Sequence, residues 1–114
     1  ISGTIVKPIS EFEQLVLLAV ARLDRDAYGM MVSHEIEAQT ENLVSLAAVY
    51  SALGRLESEG LVFSWTSQPT AQRGGRAKKH FVLEPEGAHA LERSRAAMDR
   101  MWDGLELTHY AKGN

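Results

Sequence analysis

Residues 45–83 read SLAAVYSALGRLESEGLVFSWTSQPTAQRGGRAKKHFVL, and the spacing of apolar residues changes once along this stretch. Its first part has helical spacing, with Ser45 available as N-cap and Gly60 as the residue that ends the helix. The second part has strand-forming residues on either side of a turn-like segment at 68–75, which predicts a β-hairpin over about residues 61–83. The inner side of the predicted helix consists of Val49, Leu53 and Leu56.

The outer side of this helix differs from an ordinary solvated face. Its residues are small or form hydrogen bonds, and they replace the mixture of Glu and Lys that usually faces water. Such a face can approach a groove closely. It consists of Ala47, Tyr50, Ser51, Gly54, Arg55 and Ser58.

Two further helices are expected before this stretch. Ser10 to Leu23 has helical spacing, and Ser10 and Glu13 are placed as in a capping box. Apolar residues on its other side, such as Leu18, indicate cover on two faces, either by a large core or by a second subunit. Ala27 to Gln39 resumes helical spacing with Asp26 as a candidate cap, and Leu43-Val44 could form a two-residue strand.

A long helix is expected after the hairpin, from Pro85 to about Leu107, with residues 108–114 as a frayed tail. It carries an apolar stripe that a chain of 114 residues cannot cover alone, so we expect a second copy of the chain as partner. The predicted dimer interface consists of Leu15, Leu18, Leu91, Met98, Met101, Trp102 and Leu105.

The charge is unevenly distributed. The net charge of the chain is -3, but residues 45–83 carry five basic residues and two acidic ones, between acidic flanks. A basic segment of this kind is typical of a surface that meets DNA.

Length and composition predict one domain, with 45% hydrophobic residues and no cysteine. The absence of cysteine suits a reducing cytoplasm. The sequence has no run of 18 apolar residues, and Ile1 to Ile9 lacks the profile of a signal peptide, so we expect a cytoplasmic protein with no membrane partner.

Three helices, a hairpin with a basic tip and a long helix predict a mainly α (α+β) fold. It would be a winged helix-turn-helix over residues 1–84 with a C-terminal dimerisation helix over 85–107. In that fold the third helix enters the major groove and the hairpin, or wing, contacts the backbone or the minor groove of double-stranded DNA. The predicted DNA-binding residues are Ser45, Ala47, Tyr50, Ser51 and Arg55 on the helix and Arg73, Gly74, Gly75, Arg76 and Lys78 on the wing.

Several short motifs, in this order, resemble the PadR family of bacterial regulators. They are FEQLVLL at 12–18, AYG at 27–29, VYSALGRLESEGL at 49–61, RGGR at 73–76 and FVLEPEG at 81–87. The resemblance spans about residues 10–91 and implies a dimeric winged-helix regulator, usually a repressor, whose C-terminal helix builds the dimer. The family's effectors include phenolic acids and hydrophobic drugs. The short C-terminal part is similar to the subgroup with one dimerising helix, in which interface aromatics sandwich a flat ligand.

The sequence departs from the family pattern at three places. Glu84 stands where a capping Thr is frequent, and Gly54 stands where a basic residue is common. The Trp of drug-binding relatives aligns with Met98, and Trp102 lies one turn later. Drug binding is therefore not carried over, and Met98, Met101 and Trp102 are retained as a candidate pocket for a small aromatic or hydrophobic effector, although plain dimer packing also suits them.

Other classes of site find little support in the sequence. No pair among His34, His80, His89 and His109 has the i, i+4 spacing of a metal site, and there is no thiolate ligand. Because we find no nucleophile elbow, phosphate-binding loop or paired catalytic acids, we expect neither an enzyme nor a cofactor.

Two alternatives stay open. The acidic net charge suggests a winged-helix protein-interaction module that does not bind DNA. A second alternative keeps DNA binding and makes the dimer interface a small-molecule sensor.

Overall fold

The computed structural model of the chain describes residues 8–69 and 77–112. Three α-helices, with a 3-10 helix at Asp24–Asp26 between the first two, precede an antiparallel pair of strands, and two α-helices follow. The described fold is therefore mainly helical with a small sheet, as predicted. The elements are α1 (Glu11–Leu23), α2 (Gly29–Thr40), α3 (Leu46–Ser58), β1 (Val62–Thr66), β2 (Lys79–Leu83), α4 (Pro85–Trp102) and α5 (Thr108–Ala111).

One hydrophobic core joins the first three helices to the sheet. Each of these elements contributes aliphatic side chains that are withdrawn from water, and this burial is the main force holding them together. The fully buried members include Val16, Leu17 and Val20 of α1, Val32 of α2, Val49, Leu53 and Leu56 of α3, and Val62 of β1.

Helix α1 begins with the predicted capping box. The Ser10 hydroxyl accepts a hydrogen bond from the Glu13 backbone N–H at 3.1 Å, and the Ser10 N–H donates to Glu13 Oε1 at 3.0 Å. The two bonds satisfy N–H groups that have no partner within the helix, which fixes where the helix begins.

Helix α2 begins two residues later than predicted, at Gly29, and Asp26 does not cap it. The Ala27 carbonyl accepts a hydrogen bond from Phe81 N–H at 2.8 Å, and Tyr28 pairs with His80 in an antiparallel bridge. Since residues 27 and 28 are extended against β2, they cannot also be helical.

The predicted two-residue strand at Leu43-Val44 is wrong. Neither residue pairs with a strand, and the Val44 N–H donates to Glu37 Oε2 at 3.2 Å instead. The residue outside β1 that pairs with β2 is Tyr28, through an isolated antiparallel bridge to His80.

Strands β1 and β2 pair in a register that places Val62 opposite Leu83 and Thr66 opposite Lys79. We call β1, β2 and the residues between them the wing. Gly60 lies between α3 and β1 with φ +77°, in the left-handed region, and Leu61 N–H donates to the Leu56 carbonyl at 2.9 Å. These features end α3 as the sequence predicted and turn the chain into the wing.

Helix α4 is shorter than predicted, because it ends at Trp102 and not near Leu107. Gly104 has φ +78°, and Leu105 N–H donates to the Trp102 carbonyl at 2.9 Å, so the chain turns out of the helix there. Residues 108–111, expected in a frayed tail, form the short helix α5. Leu105 therefore lies beyond the helix whose stripe it was predicted to continue.

Candidate nucleic-acid interface

The buried side of α3 determines which of its side chains face outward. Val49, Leu53 and Leu56 are fully buried, and their positions turn the opposite side of the helix toward solvent. All five residues predicted on this helix are accordingly exposed: Ser45, Ala47, Tyr50, Ser51 and Arg55. The structure brings them together on one surface, which we call the α3 face.

Ser45 has a structural task at the edge of the α3 face. It is the N-cap of the helix, and its hydroxyl oxygen accepts a hydrogen bond from Ala48 N–H at 3.2 Å. Capping fixes the first turn of α3 and leaves the hydroxyl hydrogen of Ser45 able to donate.

Tyr50 is positioned by the start of α2. Its ring lies so close to Gly29 that a methyl group added there would overlap the ring and come within 2.6 Å of Tyr50 Oη. The side chain is nevertheless 49% exposed. A ring held by backbone on one side presents its hydroxyl in a fixed place on the α3 face.

Arg55 is joined to the start of α1. Its Nε donates to Glu13 Oε2 at 3.2 Å, and the Glu13 side chain is almost completely buried. The pKa of Glu13 lies below its usual value of 4.5, chiefly because the Ser10 N–H donates to the carboxylate and also because Arg55 lies beside it. Sequence reasoning assigned Arg55 to DNA and missed this contact, which joins residues 42 positions apart.

Glu57, near the end of α3, is held away from the α3 face. Its carboxylate accepts a hydrogen bond from the Ser64 hydroxyl at 2.5 Å and lies 3.4 Å from Lys79 Nζ. The Ser64 hydrogen bond is the main cause that lowers the pKa of Glu57, and Lys79 adds to it. The nearest acid in sequence to the exposed positions is thus paired with a basic residue of the wing.

Lys78 is the one predicted wing residue within the described ranges, because Arg73, Gly74, Gly75 and Arg76 lie outside them. It is exposed, and its Nζ lies 4.5 Å from the centroid of the Tyr28 ring, a cation–π distance. Lys78 N–H also donates to Ser67 Oγ at 2.9 Å, and Ser67 N–H donates to the Lys78 carbonyl at 2.8 Å. These bonds hold the Lys78 backbone beside the end of β1.

An aromatic stack supports the base of the wing. The Trp65 ring lies parallel to His80 at 4.2 Å, and Tyr28 meets His80 edge-on at 5.6 Å. His80 is buried, and its Nδ1 has no hydrogen-bond partner among the residues that the structure describes. Trp65 therefore packs within the wing.

The predicted dimer residues line three depressions on the monomer, which are joined through Leu18 and Met98. A groove of about 590 Å³ between α1 and α4 is lined by Leu18, Leu91 and Met98. Leu15 lies in another groove, between α1 and α2, that Leu18 also borders. The end of α4 and the residues after it surround a third depression of about 160 Å³, lined by Met98, Met101, Trp102, Leu105 and Leu107.

Neither a metal centre nor a membrane helix is found in residues 8–69 and 77–112. No group of three potential metal ligands occurs there. No helix within these ranges combines the length and the apolar character that spanning a bilayer requires.

A family model for PadR-like transcriptional regulators matches residues 17–93, which include the second half of α1, all of α2 and α3, the wing and the first half of α4. The chain belongs to the PadR-like family of transcriptional regulators. Comparison with curated proteins gives no significant match.

Solved structures share the fold, and two of the following three are named as PadR family regulators. A PadR family transcription regulator from Clostridium difficile R20291 is 23% identical with a TM-score of 0.66, and the match covers 82% of this chain and 96% of that one. A PadR family regulator from Eggerthella lenta DSM 2243 is 25% identical with a TM-score of 0.64, over 91% of this chain and 88% of that one. RosR of H. salinarum is 20% identical with a TM-score of 0.62, and the match covers 86% of this chain and 81% of that one.

Membership in the PadR-like family makes the chain a DNA-binding transcriptional regulator and confirms the fold predicted from sequence. The matching family is one of transcriptional regulators.

Proposed function

We propose that this PadR-like regulator is a homodimer that binds an inverted-repeat operator and represses transcription by occupying the promoter. The observation that carries the proposal is the α3 face: an exposed, acid-free helix surface whose orientation is fixed by a fully buried opposite side. Each protomer would insert α3 into a major groove, and the dimer would act in the cytoplasm, where the promoter is accessible.

The charge distribution favours DNA as the partner of the α3 face. Residues 43–56 contain no Asp or Glu, and Glu57 is paired with Ser64 and Lys79. Lys78 adds an exposed cation at the base of the wing, and the sequence places Arg73 and Arg76 a few residues before it. Phosphates and base edges would be bound by the hydroxyls of Ser45, Tyr50 and Ser51, and by the guanidinium nitrogens of Arg55 other than Nε, which bonds to Glu13. The wing cations would contact the DNA backbone.

The exposed end of α4 favours a homodimer. Met98, Met101 and Trp102 are large and apolar, and each is more than half exposed. Leu18 of α1, which lines the groove between α1 and α4 together with Met98, is 46% exposed. A second copy related by a two-fold axis would cover this surface in both protomers at once. It would also present two α3 helices to successive major grooves, about 34 Å apart, which calls for an operator with two-fold symmetry.

The groove between α1 and α4 is the proposed effector site. Its volume of about 590 Å³ lies within the ordinary range for small-molecule pockets, and Leu18, Leu91 and Met98 give it apolar walls. Met98 borders this groove and also the depression lined by Met101 and Trp102. An aromatic or hydrophobic molecule that bound against these three residues in the dimer would shift the distance between the two α3 helices and relieve repression.

Fluorescence anisotropy on a pool of random duplex DNA at two salt concentrations tests the proposal, with selection and sequencing of the duplexes that stay bound. We expect binding that weakens as salt rises, because released counterions drive it, and recovery of a two-fold symmetric site. Absent or salt-insensitive binding would overturn the proposal and favour a protein-interaction module. Recovery of an asymmetric site would overturn the symmetric homodimer.

A further inference from the structure

We infer that the exposed start of α3, at the edge of the α3 face, recognises thymine through the methyl group of the base, and that Leu43 and Leu46 are the residues that make this contact. The inference rests on the proposed DNA-binding function and adds to it the kind of base that is read.

Leu43 and Leu46 project from the surface at the start of α3. Leu43 is 90% exposed and Leu46, at the edge of the inner side of α3, is 38% exposed, and neither belongs to the hydrophobic core. The backbone that carries Leu43 is nevertheless held in place, because the next residue, Val44, packs against the core and donates its N–H to Glu37. Because the backbone is already ordered, covering this side chain costs only the entropy of its own rotamers.

Their position is the part of a recognition helix that reaches the bases. In helix-turn-helix complexes, the residues at the N-terminal end of the recognition helix contact base edges in the major groove. Leu46 is the first residue of α3, and Leu43 lies just before the Ser45 cap. Ala47, next to Leu46, is also exposed and adds a methyl group to the same end of the α3 face.

The side chains that ordinarily read the other bases do not occur in this segment. Arg and Lys read guanine, Asn and Gln read adenine, and Asp and Glu accept from cytosine. Residues 43–54 contain none of these six residue types. Among the polar groups that remain, the Ser45 hydroxyl already accepts the capping bond from Ala48, and Tyr50 and Ser51 supply hydroxyls.

Thymine is the base whose major-groove edge suits leucine. Its C5-methyl is the apolar group among the base edges that the major groove presents. Covering this methyl with Leu43 or Leu46 removes apolar surface of both partners from water, and the free energy gained corresponds to about a fourfold increase in affinity for each methyl contact.

The test replaces thymine with deoxyuridine, which removes the methyl group and leaves the hydrogen-bonding edge unchanged. The wild-type dimer is titrated by anisotropy with the operator recovered by selection, and with duplexes in which single thymines carry this replacement. We expect about a fourfold loss of affinity at thymines under α3 and no loss at thymines in the flanks. Leu43→Ala and Leu46→Ala should each abolish the preference for thymine at one position per half-site. Met30→Ala, a change at an exposed apolar side chain of α2, should keep the preference.

The outcomes separate this inference from the proposed function. Specific, salt-sensitive binding with equal affinity for thymine and deoxyuridine overturns the inference and leaves the operator-binding dimer intact. Leucine variants that weaken binding to both duplexes equally also overturn it, because the leucines would then contact something other than the methyl group. If no salt-sensitive DNA binding occurs, the thymine inference and the proposed DNA-binding function are both overturned, and the exposed leucines belong to a protein-docking surface.

Discussion

The ring of Tyr50 lies on the backbone of Gly29, so that the fifth residue of α3 touches the first residue of α2. The corner between the two helices has room for a hydrogen atom at this point and not for a methyl group. The direction in which Tyr50 points from the α3 face is therefore set by a residue of another helix.

We expect Gly29→Ala to displace the Tyr50 ring. The overlap should lower the free energy of unfolding by about 1–3 kcal/mol, the usual cost of overpacking, and should reduce discrimination between operator and random DNA. Denaturant unfolding and anisotropy measure the two effects. Because the three atoms nearest the added methyl group all belong to Tyr50, Gly29→Ala should cost little in a Tyr50→Ala background. Equal costs in both backgrounds would contradict the contact.

The buried carboxylate of Glu13 should make stability depend on pH. Its pKa is lowered in the folded protein, so it stabilises the fold above its usual value of 4.5, and this contribution is lost as the pH falls through the lowered pKa. We expect Glu13→Gln to unfold more easily than wild type at neutral pH and the difference to narrow in acid. Urea titrations at several pH values, from neutral to below 4.5, measure the difference in free energy of unfolding between the variant and wild type. Glu11→Gln, a change at an exposed acid in the same first turn, is the control, and the same narrowing there would count against the assignment.

Removal of wing cations should weaken DNA binding without changing which sequence is preferred. Arg73→Ala and Arg76→Ala should each lower affinity for operator and random duplex alike and reduce the slope of log affinity against log salt by about 1. Lys78→Ala should do the same. Arg100→Ala, at the far end of α4, is the matched loss of charge and should leave the slope unchanged. If the slope of log affinity against log salt is unchanged in all three wing variants, the wing does not contact DNA.

A charge placed in the apolar stripe of α4 should separate the protomers. Met98→Glu puts a carboxylate into the surface that a partner would bury, so we expect a monomer by sedimentation velocity and loss of most of the affinity for the full operator. Ala96→Glu adds the same charge two residues away, on another side of α4. The Ala96→Glu variant should remain dimeric. If Met98→Glu is also dimeric, the dimer interface does not include Met98.

A flat aromatic ligand in the proposed effector site should quench Trp102, which is 55% exposed at the end of α4. We expect saturable quenching that persists in Trp65→Phe and disappears in Trp102→Phe. Trp65, which stacks on His80 in the wing, is the necessary comparison. Because it is 41% exposed, a ligand in solution can also quench it non-specifically. Quenching that survives in Trp102→Phe would count against the site.

Sequence reasoning succeeded where structure is determined by neighbouring residues. The Ser10 capping box, the Ser45 cap and the turn at Gly60 all depend on contacts within a few residues, and each is where the pattern predicted it. The helical spacing of Val49, Leu53 and Leu56 likewise identified the buried side of α3.

The errors and omissions involve partners distant in the chain. Helix α2 begins late because residue 27 is bonded to Phe81, and the pairing of Arg55 with Glu13 spans 42 positions. Neither relationship leaves a periodic signal in the sequence. The early end of α4 had a local signal in Gly104, which the heptad spacing of Leu105 outweighed. Leu43 was missed because strand propensity was weighed for it and exposure was not.

The division of α3 into two sides has a consequence for how such a regulator could diversify. Residues 43, 46 and 47 can be exchanged with little effect on the core, since none of them is buried in it. A duplicated copy of the gene could therefore acquire a new target promoter through a few surface substitutions while its scaffold stayed the same. The same property makes these three positions the natural ones to randomise in engineering a repressor for a chosen DNA site.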